Sequence, residues 1–288
     1  MNQEKPFSIG ATLKGIRANK GYTQQEAAGK NIHQTTYSKI ELNDIEPTVS
    51  KYLDILNHLD MEHEEFLFIS HGFSYNQKDA ILNRFFYLEH NSIEQLNDIK
   101  QEAAAYLTND KNTLIQDIVY ACEGLIILAE TSNRSLARPY ALKVWSRLEK
   151  FDNWYITEIH LINSILFLFP VDTAMEIVNK ALAQLAKYQN YRGVDHLFLS
   201  FKLNLILLLI KNKSYEKALN FLEEVIPQCK ESINYRRLAV CYARKGLILK
   251  KLEHSGGQQY IDKAMQILEV LEDYQFKNTL MNELNHYL

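Results

Sequence analysis

The stretch TQQEAAGKNIHQTTYSKIELN, residues 23–43, contains two short helical patterns separated by a tight turn. The first begins at Thr23, a good N-cap residue, and Glu26 three positions later completes a capping box. In the second pattern, only Tyr37 and Ile40 are placed to contribute to a hydrophobic core. Its other side chains are mostly short or flexible polar groups. Two short helices joined by a tight turn outline a helix-turn-helix whose second helix is polar on its outer face.

Three further helical patterns flank this pair. Residues 7–20 carry apolar side chains at helical spacing, Thr48 caps a fourth helix, and residues 62–70 form a fifth. We therefore predict a five-helix helix-turn-helix domain over residues 1–70, followed by a linker at residues 71–78.

Residues 79–288 change to longer helices in pairs, each marked by a recurring alanine. Successive copies of the signature are 33, 44 and 46 residues apart, which is the spacing of stacked helix pairs in an α-solenoid. A small residue at that place permits close helix–helix approach. The drifting period predicts a degenerate tetratricopeptide-like array of about five pairs, closed by a helix near 274–287. The recurring alanines are Ala141, Ala174, Ala218 and Ala264.

Composition agrees with an all-α fold. The 288 residues include only 10 Gly and 5 Pro, whereas strong helix formers are plentiful, so a turn-dense β fold is disfavoured. The net charge of −3 gives no basic signature for the whole chain, so any positive surface for nucleic acid must be local.

Cysteine and histidine spacing argues against a metal site. Cys122, Cys229 and Cys241 are far apart and form no CxxC pair, which favours small, reduced, buried thiols over a disulfide framework, a zinc knuckle or a redox switch. His58 and His63 are five residues apart, which is off the spacing that places two ligands on one helix face.

No sequence feature indicates catalysis or membrane insertion. The chain lacks a Gly-rich phosphate loop, a nucleophile elbow and a signal peptide, so we predict a cytoplasmic protein without cofactor that is not an enzyme. The most apolar run, residues 197–210, has fourteen residues and contains Lys202 and Asn204. It is too short to span a bilayer and is better explained as a core helix.

The N-terminal unit resembles the Cro/repressor-type (XRE) helix-turn-helix family. The resemblance runs through TQQEAA (23–28) and TTYSKIE (35–41), with Pro47 closing the following loop. It implies that the second helix enters the major groove of an operator, where each base pair presents a distinct donor and acceptor pattern. The alternative for this polar face is a solvated helix surface. The implied base readers are Gln34, Thr35 and Lys39, with Ser38 next, and the implied phosphate ligands are Gln24, Lys14 and Arg17.

The sequence departs from that family at the end of the second helix. Leu42 and Asn43 stand where an Arg-Gly pair is usual, and Asn tolerates the left-handed conformation that ends a helix. Residues 5–51 contain seven Lys/Arg against four Asp/Glu, whereas residues 54–65 are acidic. We therefore expect moderate DNA affinity rather than strong affinity.

The whole chain resembles the Rgg/MutR-type regulators of Gram-positive bacteria, in which a helix-turn-helix is joined to tetratricopeptide-like repeats. Length and domain order agree, and NWYITEIHLINSILFLF (153–169) is similar to the central helix region of the family. The resemblance implies a homodimer that binds a short signalling peptide in the concave repeat surface. Some members carry a cysteine that links the DNA-binding domains, and this chain has Val49 there.

The same resemblance implies that Asn163 and Asn204 contact the peptide backbone, with Tyr155 and Phe198 as further groove residues. The alternatives are amides satisfied by neighbouring carbonyls and aromatic rings that pack between helices. We predict a dimeric, peptide-responsive transcription regulator that acts on a palindromic or pseudo-palindromic operator. The alternatives are a peptide-independent repressor and a repeat-domain adaptor for a protein partner.

Overall fold

The structure, a computed structural model, describes residues 8–88 and 92–287. Phe7, the first apolar residue of the helix predicted over 7–20, lies outside these ranges. The described residues form sixteen α-helices and two short 3-10 helices, and they include no β-strand. The all-α prediction is therefore confirmed. The chain divides into two compact units, Met1–Arg84 and Phe85–Leu288.

The first unit contains five short helices, and α6 (Gln77–Phe86) extends across the division between the units. The predicted capping box is present: the Thr23 backbone N–H donates to Glu26 Oε2 at 2.7 Å, and the Glu26 N–H donates to Thr23 Oγ1 at 3.2 Å. The five helices are α1 (Ile9–Asn19), α2 (Gln24–Ala28), α3 (Gln34–Glu41), α4 (Val49–His58) and α5 (His63–Ser70).

A small apolar core holds these five helices together. Helix α1 contacts α3 and α5, while α2 contacts α3 and α4. Gly10 permits the α1–α3 approach, because a Cβ at that position would lie 2.1 Å from the Ile40 carbonyl oxygen. The core is built from buried side chains of every helix: Leu13, Ile16, Ala27, Ala28, Ile32, Tyr37, Ile40, Ile55, Leu56, Leu59 and Phe66.

The second unit continues with ten longer helices, interrupted by 3-10 helices at Leu166–Leu168 and Ala186–Tyr188. The ten are α7 (Ile93–Asn109), α8 (Thr113–Thr131), α9 (Arg134–Leu148), α10 (Ile156–Ile165), α11 (Val171–Leu185), α12 (Val194–Lys211), α13 (Tyr215–Glu231), α14 (Tyr235–Lys251), α15 (Gly257–Val270) and α16 (Tyr274–Tyr287).

These ten helices form five consecutive pairs, as predicted. Helices α8, α10, α12, α14 and α16 also contact one another in that order, and we call them the even row. The four recurring alanines lie on α9, α11, α13 and α15, and each has no exposed surface. The prediction of a tetratricopeptide-like α-solenoid with close-packed alanines is confirmed.

Polar contacts join successive helices of the even row. Asn204 Nδ2 donates to Asn163 Oδ1 at 3.0 Å, which connects α12 to α10. Arg244 Nη1 donates to the Leu203 carbonyl at 2.9 Å, which connects α14 to α12. The same guanidinium forms a fork with Glu283 of α16 at 2.8 and 3.1 Å. The partners are 39 to 41 residues apart, so each contact spans one repeat.

All three cysteines are free and buried, as predicted. Cys229 and Cys241 lie on neighbouring helices, and their Sγ atoms are 3.9 Å apart. His58 Nδ1 hydrogen-bonds to the Asp54 carbonyl at 2.7 Å, whereas His63 Nδ1 hydrogen-bonds to a tyrosine hydroxyl. Among the helices of residues 8–88 and 92–287, none has the combination of length and apolarity that crossing a membrane requires.

Candidate nucleic-acid and peptide sites

Helix α3 presents one apolar face and one polar face. Tyr37 and Ile40 are buried in the core of the first unit, as the three-residue spacing predicted. On the outer side Gln34, Thr35 and Lys39 are exposed, and Ser38 is half-buried. These side chains supply the amide, hydroxyl and ammonium groups that pair with base edges in a major groove.

A buried charge network fixes α3 to the helices beside it. The Glu41 carboxylate, only 4% exposed, accepts from Arg17 Nε at 2.6 Å and Arg17 Nη2 at 3.1 Å. It also accepts from Gln24 Nε2 at 2.9 Å. Burial alone would raise the pKa of Glu41, but the hydrogen bonds from Arg17 and Gln24 hold that pKa below its ordinary value. Three helices are thereby joined through one carboxylate.

This network changes the interpretation of two predicted phosphate ligands. Arg17 also donates through Nη1 to the Tyr22 carbonyl at 2.9 Å, so its whole guanidinium is engaged inside the unit. The Gln24 side-chain amide is engaged by Glu41. Lys14, in contrast, is exposed on α1. From the sequence, Glu41 is assigned only to the end of α3, so its positioning role was missed.

The end of α3 has the geometry expected from an asparagine in place of glycine. Asn43 has a φ of 59°, in the left-handed region. The Asn43 N–H donates to the Ile40 carbonyl at 3.0 Å, and the Asp44 N–H donates to the Lys39 carbonyl at 2.9 Å. Asn43 Oδ1 additionally accepts from the Gly10 N–H at 3.1 Å, so the helix end is tied to the start of α1.

Exposed apolar side chains follow α3 along the chain. Leu42 is 61% exposed and Val49 is 75% exposed, and Ile45 and Leu53 are exposed to a smaller extent, 39% and 48%. Their spacing of three or four residues is visible in the sequence, but no surface was predicted from it. We call these four residues the apolar patch.

In the second unit, the two candidate asparagines contact each other. Their 3.0 Å hydrogen bond uses Asn204 Nδ2 and Asn163 Oδ1, and both residues are half-buried. Asn163 Nδ2 and Asn204 Oδ1 have no hydrogen-bond partner within the described part of the chain. A free donor therefore stands beside a free acceptor, which complements the C=O and N–H groups of an extended peptide backbone.

Tyr155 and Phe198 lie away from the hydrogen bond between Asn163 and Asn204. Tyr155 precedes α10, is 65% exposed, and stands eight residues before Asn163, about 12 Å along the helix. Phe198 is half-buried and stands six residues before Asn204, about 9 Å along α12. Both residues lie toward the N-terminal ends of their helices, at one edge of the even row.

Three residues before Asn163, the half-buried His160 is held in its neutral form. The His160 ring stacks on Phe86 with centroids 4.8 Å apart. Burial lowers the pKa of His160 to about 4, so the ring carries no charge at neutral pH. His160 therefore adds no positive charge beside Asn163 at neutral pH.

Sequence reasoning missed three cations on the helices of the second unit. We call Arg134, Lys211 and Arg244 the cation cluster. Lys211 is exposed as a residue, but partial enclosure of its ammonium group lowers its pKa, and the positive charges of Arg134 and Arg244 lower that pKa further while the charge of Glu283 opposes them. The signal available in the sequence was the seven-residue interval from Asn204 to Lys211, which places both on one face of α12.

Comparison with known families identifies both units. A family model described as the C-terminal domain of the HTH-type transcriptional regulator Rgg matches residues 94–282. A helix-turn-helix family model matches residues 13–66. The first of these alone spans more than half of the chain. No curated protein sequence matches the chain.

Several solved structures share the fold over almost the entire chain. A protein from Listeria monocytogenes EGD-e assigned as a transcriptional regulator has a TM-score of 0.79 at 20% identity, covering 99% of this chain and 98% of its own. The SHP pheromone receptor Rgg2 of Streptococcus dysgalactiae has a TM-score of 0.74 at 15% identity, covering 97% and 100%. Bacillus thuringiensis PlcR in complex with the peptide PapR7 and DNA has a TM-score of 0.70 at 17% identity, covering 96% and 99%. At these identities the likeness concerns the fold.

Proposed function

Because this chain belongs to the Rgg family of helix-turn-helix transcriptional regulators, we propose that it is a cytoplasmic transcription factor controlled by a short signalling peptide. We assign DNA binding to residues 1–70, and peptide sensing and dimerisation to residues 79–288, joined by residues 71–78. No catalytic step, metal or cofactor belongs to this proposal. The observation that carries it is the asparagine pair, which offers a free donor and a free acceptor on the even row.

The DNA-binding part of the proposal rests on the outer face of α3. Gln34 can pair bidentately with adenine, Lys39 can donate to guanine, and Thr35 is exposed beside them. Ser38 would add a hydroxyl to the same face, and Lys14, which is exposed on α1, would contact phosphate. In this proposal Arg17 and Gln24 act chiefly by holding α3 in place through Glu41.

The descriptions of two fold neighbours support the DNA and peptide ligands of the proposal. The fold neighbour PlcR is described as a complex with a peptide and DNA, and Rgg2 as a pheromone receptor. The interface itself is assigned to residues 79–288, and the apolar patch on the first unit would add a further contact between two copies. A two-fold symmetric dimer would act on a palindromic or pseudo-palindromic operator with half-sites about one helical turn, or a multiple, apart.

For the peptide, we propose an extended backbone bound at Asn163 and Asn204, with Tyr155 and Phe198 flanking it. The even row would line the concave surface that solenoids use for extended ligands. Peptide binding would change DNA binding by favouring one arrangement of the dimer, which requires different affinity for the two arrangements.

Binding of the full-length protein to DNA from its own promoter region tests the first part. We expect salt-dependent, sequence-specific binding, and the double variant Gln34→Ala/Lys39→Ala should lose at least about tenfold in specific affinity. The matched control is Gln101→Ala/Lys111→Ala, which removes the same two side-chain types from exposed positions of the second unit. Equal losses in both double variants would refute the assignment of the DNA-reading helix.

Calorimetric titration with the short peptide encoded beside the gene tests the second part. Binding should be detected and should weaken in Asn204→Ala. A peptide-independent repressor is the second candidate, and it is favoured by the Asn163–Asn204 hydrogen bond, which satisfies half of each amide internally. Specific DNA binding without heat from any such peptide would support that candidate. Absence of both activities would favour the adaptor alternative.

A further inference from the structure

Three hydrogen bonds along the even row share one sequence interval. Each joins residues 41 positions apart, with donor–acceptor distances of 2.9 to 3.0 Å. The three pairs are Arg237 and the His196 carbonyl, Arg244 and the Leu203 carbonyl, and Asn204 and Asn163. Helices α10, α12 and α14 therefore keep one register where these contacts occur, so residues 41 apart lie side by side on neighbouring helices.

In this register Arg244 contacts α12 one residue before the asparagine pair. Its Nη1 atom donates to the Leu203 carbonyl, and Leu203 immediately precedes Asn204. Asn204 in turn donates to Asn163 on α10. The guanidinium is thus joined, through one backbone carbonyl, to the residue whose side-chain oxygen is offered to a peptide.

The Arg244 guanidinium is enclosed, and each of its three nitrogens donates a hydrogen bond. Among the lysines and arginines of residues 8–88 and 92–287, it is the only one buried as a whole residue, with 7% of its surface exposed. Nε and Nη2 donate to the two carboxylate oxygens of Glu283 at 2.8 and 3.1 Å. A buried charge is costly unless its polar atoms keep their partners. A displacement of the Leu203 carbonyl would therefore have to be followed by the guanidinium and by Glu283.

Glu283 carries this connection to α16, which has a small apolar attachment of its own. Helix α16 contacts α14 and α15. Among its described residues only Leu280 and Leu284 are buried. An element with few buried apolar side chains opens locally at low free energy. The fork between Arg244 and Glu283 is consequently a large part of what holds α16 in place.

We propose that Arg244 is a positioning residue of the peptide site, and that it couples occupancy of the asparagine pair to the docking of α16. The inference rests on the proposed function and specifies how its site is regulated. A peptide backbone bound at Asn163 and Asn204 fixes this part of α12 and holds the Leu203 carbonyl against the guanidinium. The fork to Glu283 is then favoured, and α16 stays docked. By reciprocity, a docked α16 raises the affinity for peptide.

Helix α14 supplies two control arginines that divide this connection into its halves. Arg237 joins α14 to α12, since its Nη2 donates to Ser200 Oγ at 2.9 Å. Arg236 joins α14 to the residue before α16, since its Nε donates to Asp273 Oδ2 at 2.7 Å. Arg244 makes both connections with a single guanidinium.

Calorimetric titration of the full-length protein with the short peptide encoded beside the gene tests the positioning role. The test variant is Arg244→Met/Glu283→Gln, which removes both charges and leaves neither buried alone. It should bind the peptide about tenfold more weakly. In an Asn204→Ala background the same double change should have almost no further effect, because Arg244 acts through Asn204. Additive losses, or losses as large in Arg236→Ala or Arg237→Ala, would overturn the positioning role.

Hydrogen exchange of fragments from residues 274–287, measured by mass spectrometry, tests the coupling at α16. Adding the peptide to the wild-type protein should slow exchange in these fragments by about fivefold or more. In Arg244→Met/Glu283→Gln the peptide should leave their exchange unchanged. A wild-type protein that binds the peptide without any change in these fragments would overturn the coupling and leave the proposed function intact.

The protein without peptide gives an independent readout of the same residue. The side-chain amide signals of Asn204 in an asparagine-labelled sample are identified by their loss in Asn204→Ala. They should shift in Arg244→Met/Glu283→Gln and keep their positions in Arg236→Ala and Arg237→Ala. Unchanged signals in the test variant would overturn the positioning role, whether or not the peptide binds. Absence of heat from the wild-type protein would contradict the proposed function and the coupling together.

Discussion

Glu41 fixes the position of α3 in the first unit through contacts with two other helices. It is buried and accepts hydrogen bonds from two other helices, and its principal partner Arg17 is itself largely enclosed. A buried charge left without its partner is far more destabilising than a broken surface pair. The strength of this network therefore determines whether α3 keeps its position.

Replacing this acid should destabilise the first unit. We expect Glu41→Ala to lower its free energy of unfolding by roughly 3 kcal/mol or more, because the Arg17 charge is left enclosed without an acid. Hydrogen exchange of peptides from residues 8–84, measured by mass spectrometry, reports this unit separately. Glu46→Ala, which removes an exposed acid from the same unit, is the control and should be nearly neutral. Similar effects in both variants would contradict the importance of the network.

Glu41 should also make the folding stability of the first unit decrease at acidic pH. The pKa of Glu41 is lowered in the folded protein, so its contribution to stability is complete above its unfolded-state pKa and is lost as pH falls through the folded-state pKa. We expect the dependence of stability on pH below about 4.3 to become shallower in Glu41→Gln. An unchanged slope would mean that Glu41 is not ionised in the folded unit.

His160 should produce a separate pH dependence in the second unit. Its pKa of about 4 lies below the unfolded-state value, so the unfolded chain takes up the proton first and stability falls as pH drops from about 6.5 toward 4. The full effect amounts to about 3 kcal/mol. Fluorescence of Trp145 and Trp154, both in this unit, follows its unfolding. His160→Gln should remove most of this slope, and a slope equal to that of the wild type would refute the attribution.

Residue-level prediction from sequence succeeded for contacts within one helix. The positions of Tyr37 and Ile40 in the core follow from their spacing, and the left-handed Asn43 follows from its residue type. The partners of Glu41 could not be inferred in that way, because Arg17 and Gln24 lie on two other helices. A periodic pattern identifies which face is buried but not which charged groups meet across it.

At the scale of elements, the α1–α3 contact gives a sharp test with an internal control. Gly10→Ala would place a Cβ 2.1 Å from the Ile40 carbonyl oxygen, so α1 must move away from α3, and we expect a loss of about 1–3 kcal/mol. Gly15 lies in the same helix, and a Cβ added there would meet no other atom within 4 Å. Gly15→Ala should therefore stabilise the unit by about 0.5–1 kcal/mol. Chemical denaturation of both variants measures the difference, and effects of the same sign would contradict the close approach.

The repeat helices show what a sequence pattern can and cannot predict at this scale. The four alanines identified α9, α11, α13 and α15 correctly, since close helix packing excludes a larger side chain there. The contacts along the even row were not predictable, because the partners are about one repeat apart and on different helices. The cation cluster was missed for the same reason.

For the whole molecule, the distribution of positive charge determines how strongly the DNA affinity should depend on salt concentration. Each phosphate contact contributes roughly one unit to the slope of log affinity against log salt. In a dimer, Lys14→Ala should reduce that slope by about two while leaving sequence preference unchanged, because phosphate contacts position the protein without reading bases. Fluorescence anisotropy over a range of salt concentrations measures both quantities. A changed base preference would instead place Lys14 at a base edge.

The family and the order of the two units were predictable from sequence because each unit carries its own periodic signature. The helix-turn-helix motif and the alanine repeat occupy different parts of the chain, and the family matches over 13–66 and 94–282 follow the same order. The predicted linker at residues 71–78 stays a prediction, since a connection has no period of its own to detect. The expectation of moderate DNA affinity also stays open to test, and a tight operator complex at physiological salt would contradict it.

The Arg17–Glu41–Gln24 network has a consequence for how quickly the protein finds its operator. Because α3 is fixed to α1 and α2 before any DNA is present, association requires no folding step at the reading surface. The association rate constant should then be limited by diffusion and orientation, and it should decrease with ionic strength as long-range attraction is screened. Loosening α3 by removing Glu41 would add a slow conformational step to every encounter, so the search itself, and not only the final complex, depends on that carboxylate.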